Sequence, residues 1–186
     1  FTEIEIDDED LIEMRQESAE LIMRFGRAAF PTSKNSRGAT LADLDNDGVE
    51  EILFGIYDTL YAVKSDGTIL FTKGVSGPIF LPPTVADLDG DGKPEIIVNS
   101  GYPRQGGGIT LVDNEGNDLP GWPLSFSDHW MSNAPVAVDI DGDGIMEIVT
   151  VEYVSGAEGY VHILKINGSS YSENWPVNIK APPAFT

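Results

Sequence analysis

The chain has 186 residues, enough for one domain with a real core. Its 31 acids against 11 bases give a net charge of −20, which makes nucleic acid and anionic membrane surfaces poor partners. Lack of cysteine removes disulfides, zinc thiolates and thiol catalysis, and no apolar run approaches the ~20 residues of a membrane span.

Residues 1–38 form an N-terminal extension. Asp7, Asp8, Glu9 and Asp10 supply an acidic first turn, and Leu11, Met14, Ser18, Leu21, Ile22 and Phe25 follow helical spacing. Gly26 is a stop signal, so the pattern predicts an amphipathic α-helix over about 8–26. Its apolar stripe suits packing on a neighbouring sheet or on a partner subunit.

One string then recurs three times: Asp43-Leu-Asp45-Asn-Asp47-Gly48-Val49-Glu-Glu51, Asp87-Leu-Asp89-Gly-Asp91-Gly92-Lys93-Pro-Glu95 and Asp139-Ile-Asp141-Gly-Asp143-Gly144-Ile145-Met-Glu147. Carboxylates stand at positions 1, 3, 5 and 9, and Gly at position 6. Four carboxylates in nine residues repel one another unless a cation lies among them, and the Gly closes the turn with a positive φ. Oxygen-only ligation points to a hard cation, and the loose geometry of Ca²⁺ fits better than that of Mg²⁺. Position 7 (Val49, Lys93, Ile145) has only a backbone carbonyl to offer. An EF-hand is excluded, because position 12 is Phe54, Val98 or Thr150 rather than Glu. Ile52-Leu-Phe54, Ile96-Ile-Val98 and Ile148-Val-Thr150 follow the closing Glu and read as buried strands. About three ions are expected, which would bring the charge from −20 to −14.

The loops start at 43, 87 and 139, so the unit is 44 and then 52 residues long, a length typical of repeat arrays. Downstream of each loop, apolar runs flank a turn at Ser65-Asp66-Gly67, Asn114-Glu115-Gly116 or Asn167-Gly168. Each unit therefore holds about four strands, the content of one propeller blade. The boundaries are 39–81, 82–133 and 134–181. Residues 182–186 repeat Pro82-Pro83-Thr84-Val85-Ala86 and read as the start of a fourth unit. The fold class is thus all-β, with three four-stranded blades in an incomplete ring plus the N-terminal helix.

Other chemistry is sparse. His129 and His162 are the only histidines, too few for a base–nucleophile arrangement, and His129 reads as a surface residue beside a packed Trp130. Gly106-Gly107-Gly108 lacks the Lys-Ser/Thr of a phosphate loop and suits a strand beside a crowded neighbour. Asn167-Gly168-Ser169 matches a glycosylation sequon, but the hairpin turn explains it better. Trp122 and Trp175 recur at equal places, which favours packing between blades over sugar stacking.

The loops, the hairpins and the Gly-Trp-Pro and Asn-Trp-Pro endings resemble FG-GAP/VCBS repeats, and are similar to the calcium-binding blades of integrin α-chain propellers. The resemblance covers about 39–186. It implies a β-propeller and a metal ligand set of Asp43, Asp45, Asp47, Glu51; Asp87, Asp89, Asp91, Glu95; and Asp139, Asp141, Asp143, Glu147. Two departures stand out: Glu closes the loops where integrins often have Asp, and three blades cannot complete the usual ring of 4–8. Phe1-Thr2-Glu3-Ile4-Glu5 is similar to the processed start of type IV pilins, but the acids that follow would not sit in a membrane.

The expected function is a non-catalytic, calcium-stabilised extracellular or cell-surface scaffold or adhesion module, whose start at Phe1 fits loss of a leader. It would contact protein or glycan and persist as a homo-oligomer, a filament or part of a longer propeller. The alternatives are a carbohydrate-binding accessory domain of a secreted polysaccharide-degrading enzyme and a subunit of a pilin-like filament.

Overall fold

A computed structural model describes residues 37–102, 106–127, 129–131, 133–154 and 158–180. The expected helix at 8–26, the pilin-like start and the fourth-unit residues 182–186 lie outside these. Among the described residues every regular element is a strand, and no helix is long and apolar enough to cross a membrane.

Thirteen strands make three antiparallel sheets. The first runs β1 (Thr40–Ala42), β2 (Glu51–Ile56), β3 (Thr59–Val63) and β4 (Ile69–Gly74), in chain order. The second runs β5 (Thr84–Ala86), β6 (Glu95–Tyr102), β7 (Gly106–Val112) and β8 (Leu124–Phe126). The third runs β10 (Val136–Val138), β11 (Glu147–Val154), β12 (Glu158–Leu164) and β13 (Val177–Asn178). A fifth strand, β9 (Trp130–Met131), pairs with β11. The chain between the second and third loops thus contributes an extra edge to the third sheet, which four-strand counting did not anticipate.

Alternation along the strands decides what each sheet faces. In β6, Ile96 and Val98 point back into a core with Leu44, Leu53, Leu60 and Ala62, while Ile97 points forward into a second core with Leu88, Leu111, Ile148 and Leu164. Both long strands of the second sheet are therefore buried on both faces. The first strands lie side by side, β1 next to β5 and β5 next to β10. Hydroxyl hydrogen bonds tie them at equal positions: Thr40 donates to the Pro83 carbonyl and Thr84 to the Pro135 carbonyl, each at 2.5 Å.

The glycine run performs the expected packing task. A Cβ on Gly107 would lie 2.3 Å from the Ser100 carbonyl oxygen and 2.6 Å from Gly101 Cα, its partner across β6 and β7. Asn167 and Gly168 form the hairpin turn, with Gly168 at φ 79° and the Asn167 side chain accepting from the Ser169 N–H.

Candidate metal centre

Each acidic loop is the connection of a hairpin. β1, β5 and β10 end one residue before the first Asp, and β2, β6 and β11 begin at the closing Glu. The two flanking strands are paired in register, so they hold both ends of the loop and leave little freedom between them.

The hydrogen bonds inside the loops follow one plan. The Gly at position 6 donates its N–H to Oδ2 of the first Asp: Gly48 to Asp43 at 2.9 Å, Gly92 to Asp87 at 2.9 Å, Gly144 to Asp139 at 3.0 Å. These glycines sit at φ 86°, 87° and 92°, a backbone setting that L side chains rarely adopt. The N–H at position 5 points to Oδ1 of the position-3 Asp (Asp45, Asp89, Asp141) at 3.2–3.3 Å. The N–H of Val49, Lys93 and Ile145 points to Oδ1 of Asp47, Asp91 and Asp143 at 2.7–2.8 Å. The closing Glu reaches back across the loop, so that Oε2 of Glu51, Glu95 and Glu147 accepts the N–H of Leu44, Leu88 and Ile140 at 2.8–3.0 Å. Backbone donors thus engage both oxygens of Asp43, Asp87 and Asp139 and one oxygen of each of the other acids.

The result is clustered oxygen. Asp43, Asp45 and Glu51 bring one oxygen each within 4.8 Å of one another, as do Asp87, Asp89 and Glu95, and Asp139, Asp141 and Asp143. Asp47 and Asp91 stand outside the tight group in the first two loops, and Glu147 does in the third. The three closing acids are nonetheless buried, at 1%, 6% and 4% exposure. Burial pushes the Glu95 carboxyl above its ordinary range, and the charges of Asp89, Asp91 and Asp87 push it further, against the Leu88 N–H.

The position-3 oxygens differ between loops. Lys64 Nζ sits 2.7 Å from Asp45 Oδ2 and holds that carboxyl below the usual range. Tyr171 donates its hydroxyl to Asp141 Oδ2 at 3.1 Å, and the contact holds the phenol above its usual range.

A second polar cluster escaped the sequence reading. Glu152 on β11 is buried, and both its oxygens are taken: His162 Nε2 on β12 lies 2.7 Å from Oε2, and His129 Nδ1 contacts Oε1. His129 is therefore not a free surface residue. The cluster joins β11, β12 and the chain entering β9. Only the local signal of two histidines was visible beforehand, and the acid between them is 23 and 10 residues away. Trp130 is packed as expected, edge-on to Phe80 and Tyr153.

Residues 87–150, from the second loop to just past the third, match the family described as FG-GAP-like repeat. The first loop lies outside this stretch and shares its spacing and hydrogen bonds. Among solved structures, the biofilm matrix protein Bap1 of V. cholerae is similar at 22% identity with a TM-score of 0.42. The likeness covers 78% of this chain and 32% of that one, so the chain spans about a third of that protein's length. Comparison with curated proteins finds no match.

Proposed function

We propose that this chain is a non-catalytic, calcium-stabilised scaffold or adhesion module acting outside the cell or at its surface, with its three sheets as successive propeller-type blades. One observation carries the reading. Three loops with one hydrogen-bond plan occupy equal places in three sheets of the same strand order, and two of them lie in the FG-GAP-like stretch. The donors fit a hard divalent ion, since every side-chain ligand offered is a carboxylate oxygen. Asp43, Asp45, Asp47 and Glu51, with the Val49 carbonyl, would hold the first ion. Asp87, Asp89, Asp91 and Glu95, with the Lys93 carbonyl, would hold the second. Asp139, Asp141, Asp143 and Glu147, with the Ile145 carbonyl, would hold the third. Bound calcium supplies charge neutralisation, and the loops then clamp paired strands at the end of each sheet.

The two recurring tryptophans divide: Trp175 is only half-buried, while the burial of Trp122 favours the scaffold over a glycan site. Trp122 is 7% exposed and donates its indole N–H to the Ile166 carbonyl at 2.6 Å, which makes it a tie between the second and third sheets. Assembly belongs to the same reading. The forward face of the third sheet exposes Val136, Val138 and Ile140, whose counterparts in the second sheet are Thr84, Ala86 and Leu88. A further sheet of the same kind, from the parent chain or from a neighbouring copy, covers that face. A partner-free, stable 20.1 kDa monomer on sedimentation in calcium would refute this point.

Melting with calcium and with excess chelator tests the main claim. Removing the ion leaves three groups of acids uncompensated, so the melting temperature falls and Asp89→Ala lowers the calcium effect. An unchanged melting temperature would end the structural role of calcium.

A further inference from the structure

The three loops share a backbone plan but not the same surroundings at position 3. In each, Oδ1 of that Asp already accepts an N–H, so Oδ2 is the oxygen left for a ligand. In the first loop that oxygen holds the Lys64 ammonium, at 2.7 Å. In the third it holds the neutral Tyr171 hydroxyl, at 3.1 Å. In the second, no side chain among the described residues pairs with Asp89.

The difference has a source in the turns. Lys64, Asp113 and Lys165 each follow the third strand of their sheet and open the same turn, accepting from Gly67, Gly116 and Gly168 and donating to Thr68, Asn117 and Ser169. Only Lys64 reaches its own metal loop. Asp113 spends its carboxylate on the N–H groups of Glu115 and Asn117 within the turn. Lys165 lies over the Tyr171 ring, 5.8 Å from its centroid.

We propose that Lys64 is a built-in competitor for the first loop's cation, which makes the three sites graded: the second tightest, the third slightly weaker, the first weakest and the least dependent on calcium. This rests on the calcium reading above. A divalent ion reaching Asp45 Oδ2 must evict an ammonium and then sit near it, whereas at Asp141 it displaces a neutral hydroxyl and at Asp89 nothing. The same ammonium neutralises one acid when no ion is bound, so the first loop tolerates calcium loss that the second does not.

Gly48, Gly92 and Gly144 each donate to the first Asp of their own loop, so their amide resonances report the three sites separately in one ¹⁵N–¹H spectrum of the full chain. During a calcium titration Gly92 and Gly144 shift first and Gly48 last, at a midpoint at least about threefold higher. In Lys64→Met the Gly48 midpoint falls about three- to tenfold while that of Gly92 stays in place. Lys73→Met, which breaks the pair with Asp118 instead, changes none of them. Three coincident midpoints, or a Gly48 midpoint indifferent to Lys64→Met, overturns the grading and leaves calcium binding intact. No amide shift up to about 10 mM calcium, beyond the affinity range of extracellular modules, overturns both.

Discussion

Leu88 and Ile140 hold the same place, the second residue of an acidic loop, yet Leu88 is fully buried and Ile140 is 42% exposed. The same contrast runs down the two sheets. Ile97 lies in the core between the second and third sheets, while its counterpart Val149 is only partly buried. Ala86 packs against that core, whereas Val138 is 38% exposed. Loop hydrogen bonds and the register of the flanking hairpin are alike in both sheets, so the difference lies chiefly in what stands next to them. The comparison separates two levels of the fold. Each loop and its hairpin is specified within one unit, and burial is specified only by the next one. This is how energy divides in an array of stacked units, with an intrinsic part and a nearest-neighbour part.

The sharpest way to break that account is to truncate the same position twice. Leu88→Ala removes a fully buried side chain and should cost about 2–5 kcal/mol, while Ile140→Ala should stay within about 0.5 kcal/mol. Chemical denaturation of both variants in calcium measures the pair. Equal losses would show that position 2 acts through the loop and not through the sheet interface.

The sequence made the loop level readable because its information is local. Asp43 to Glu51 span nine residues, Gly48 marks the turn, and Ile52 to Phe54 announce the strand. The hairpin turn at Asn167-Gly168 was legible for the same reason, as was the crowding at Gly107. What stayed hidden depends on pairs far apart in sequence or on lateral register. Nothing local marks Glu152, because its link to His129 needs β9 to swing back onto β11. Nothing local marks Lys64, whose 19-residue reach to Asp45 appears only once β3 is set beside β2. The exposure of Ile140 could not be read either, since Leu44, Leu88 and Ile140 carry the same pattern with different neighbours.

The His129–Glu152–His162 cluster sharpens the comparison from the polar side, because it has no counterpart in the second sheet: β6 carries Ser100 where β11 carries Glu152. Burial pushes the Glu152 carboxyl up, but hydrogen bonds from His162 and His129 outweigh it and leave the group below its ordinary 4.5. A depressed carboxylate stabilises the fold above its unfolded pKa, and that contribution fades as pH falls from about 4.5 through the lower folded value. Glu152→Gln should therefore cost about 1–3 kcal/mol near neutral pH, with the gap to the parent chain closing below about pH 4.5. Denaturation at neutral and acidic pH checks it. A gap that persists at pH 3 would assign the loss to shape rather than charge.

The smallest effect tests the tie between sheets directly. Thr40 and Thr84 each pass one hydroxyl hydrogen bond forward, to the Pro83 and Pro135 carbonyls, and the third sheet has Val136 in that place, 52% exposed. Thr84→Val keeps the shape and the β-branch and removes only the donor, leaving the partly buried Pro135 carbonyl without this partner. The expected loss is about 1 kcal/mol, seen as a lower denaturation midpoint with an unchanged slope. Val136→Thr adds a hydroxyl to an exposed face and should change stability by no more than about 0.5 kcal/mol. If Thr84→Val is silent, the hydroxyl only accompanies sheet packing, and apolar burial alone holds the second sheet to the third. If Val136→Thr stabilises the chain by as much as Thr84→Val weakens it, the forward face of the third sheet already meets a carbonyl like that of Pro135.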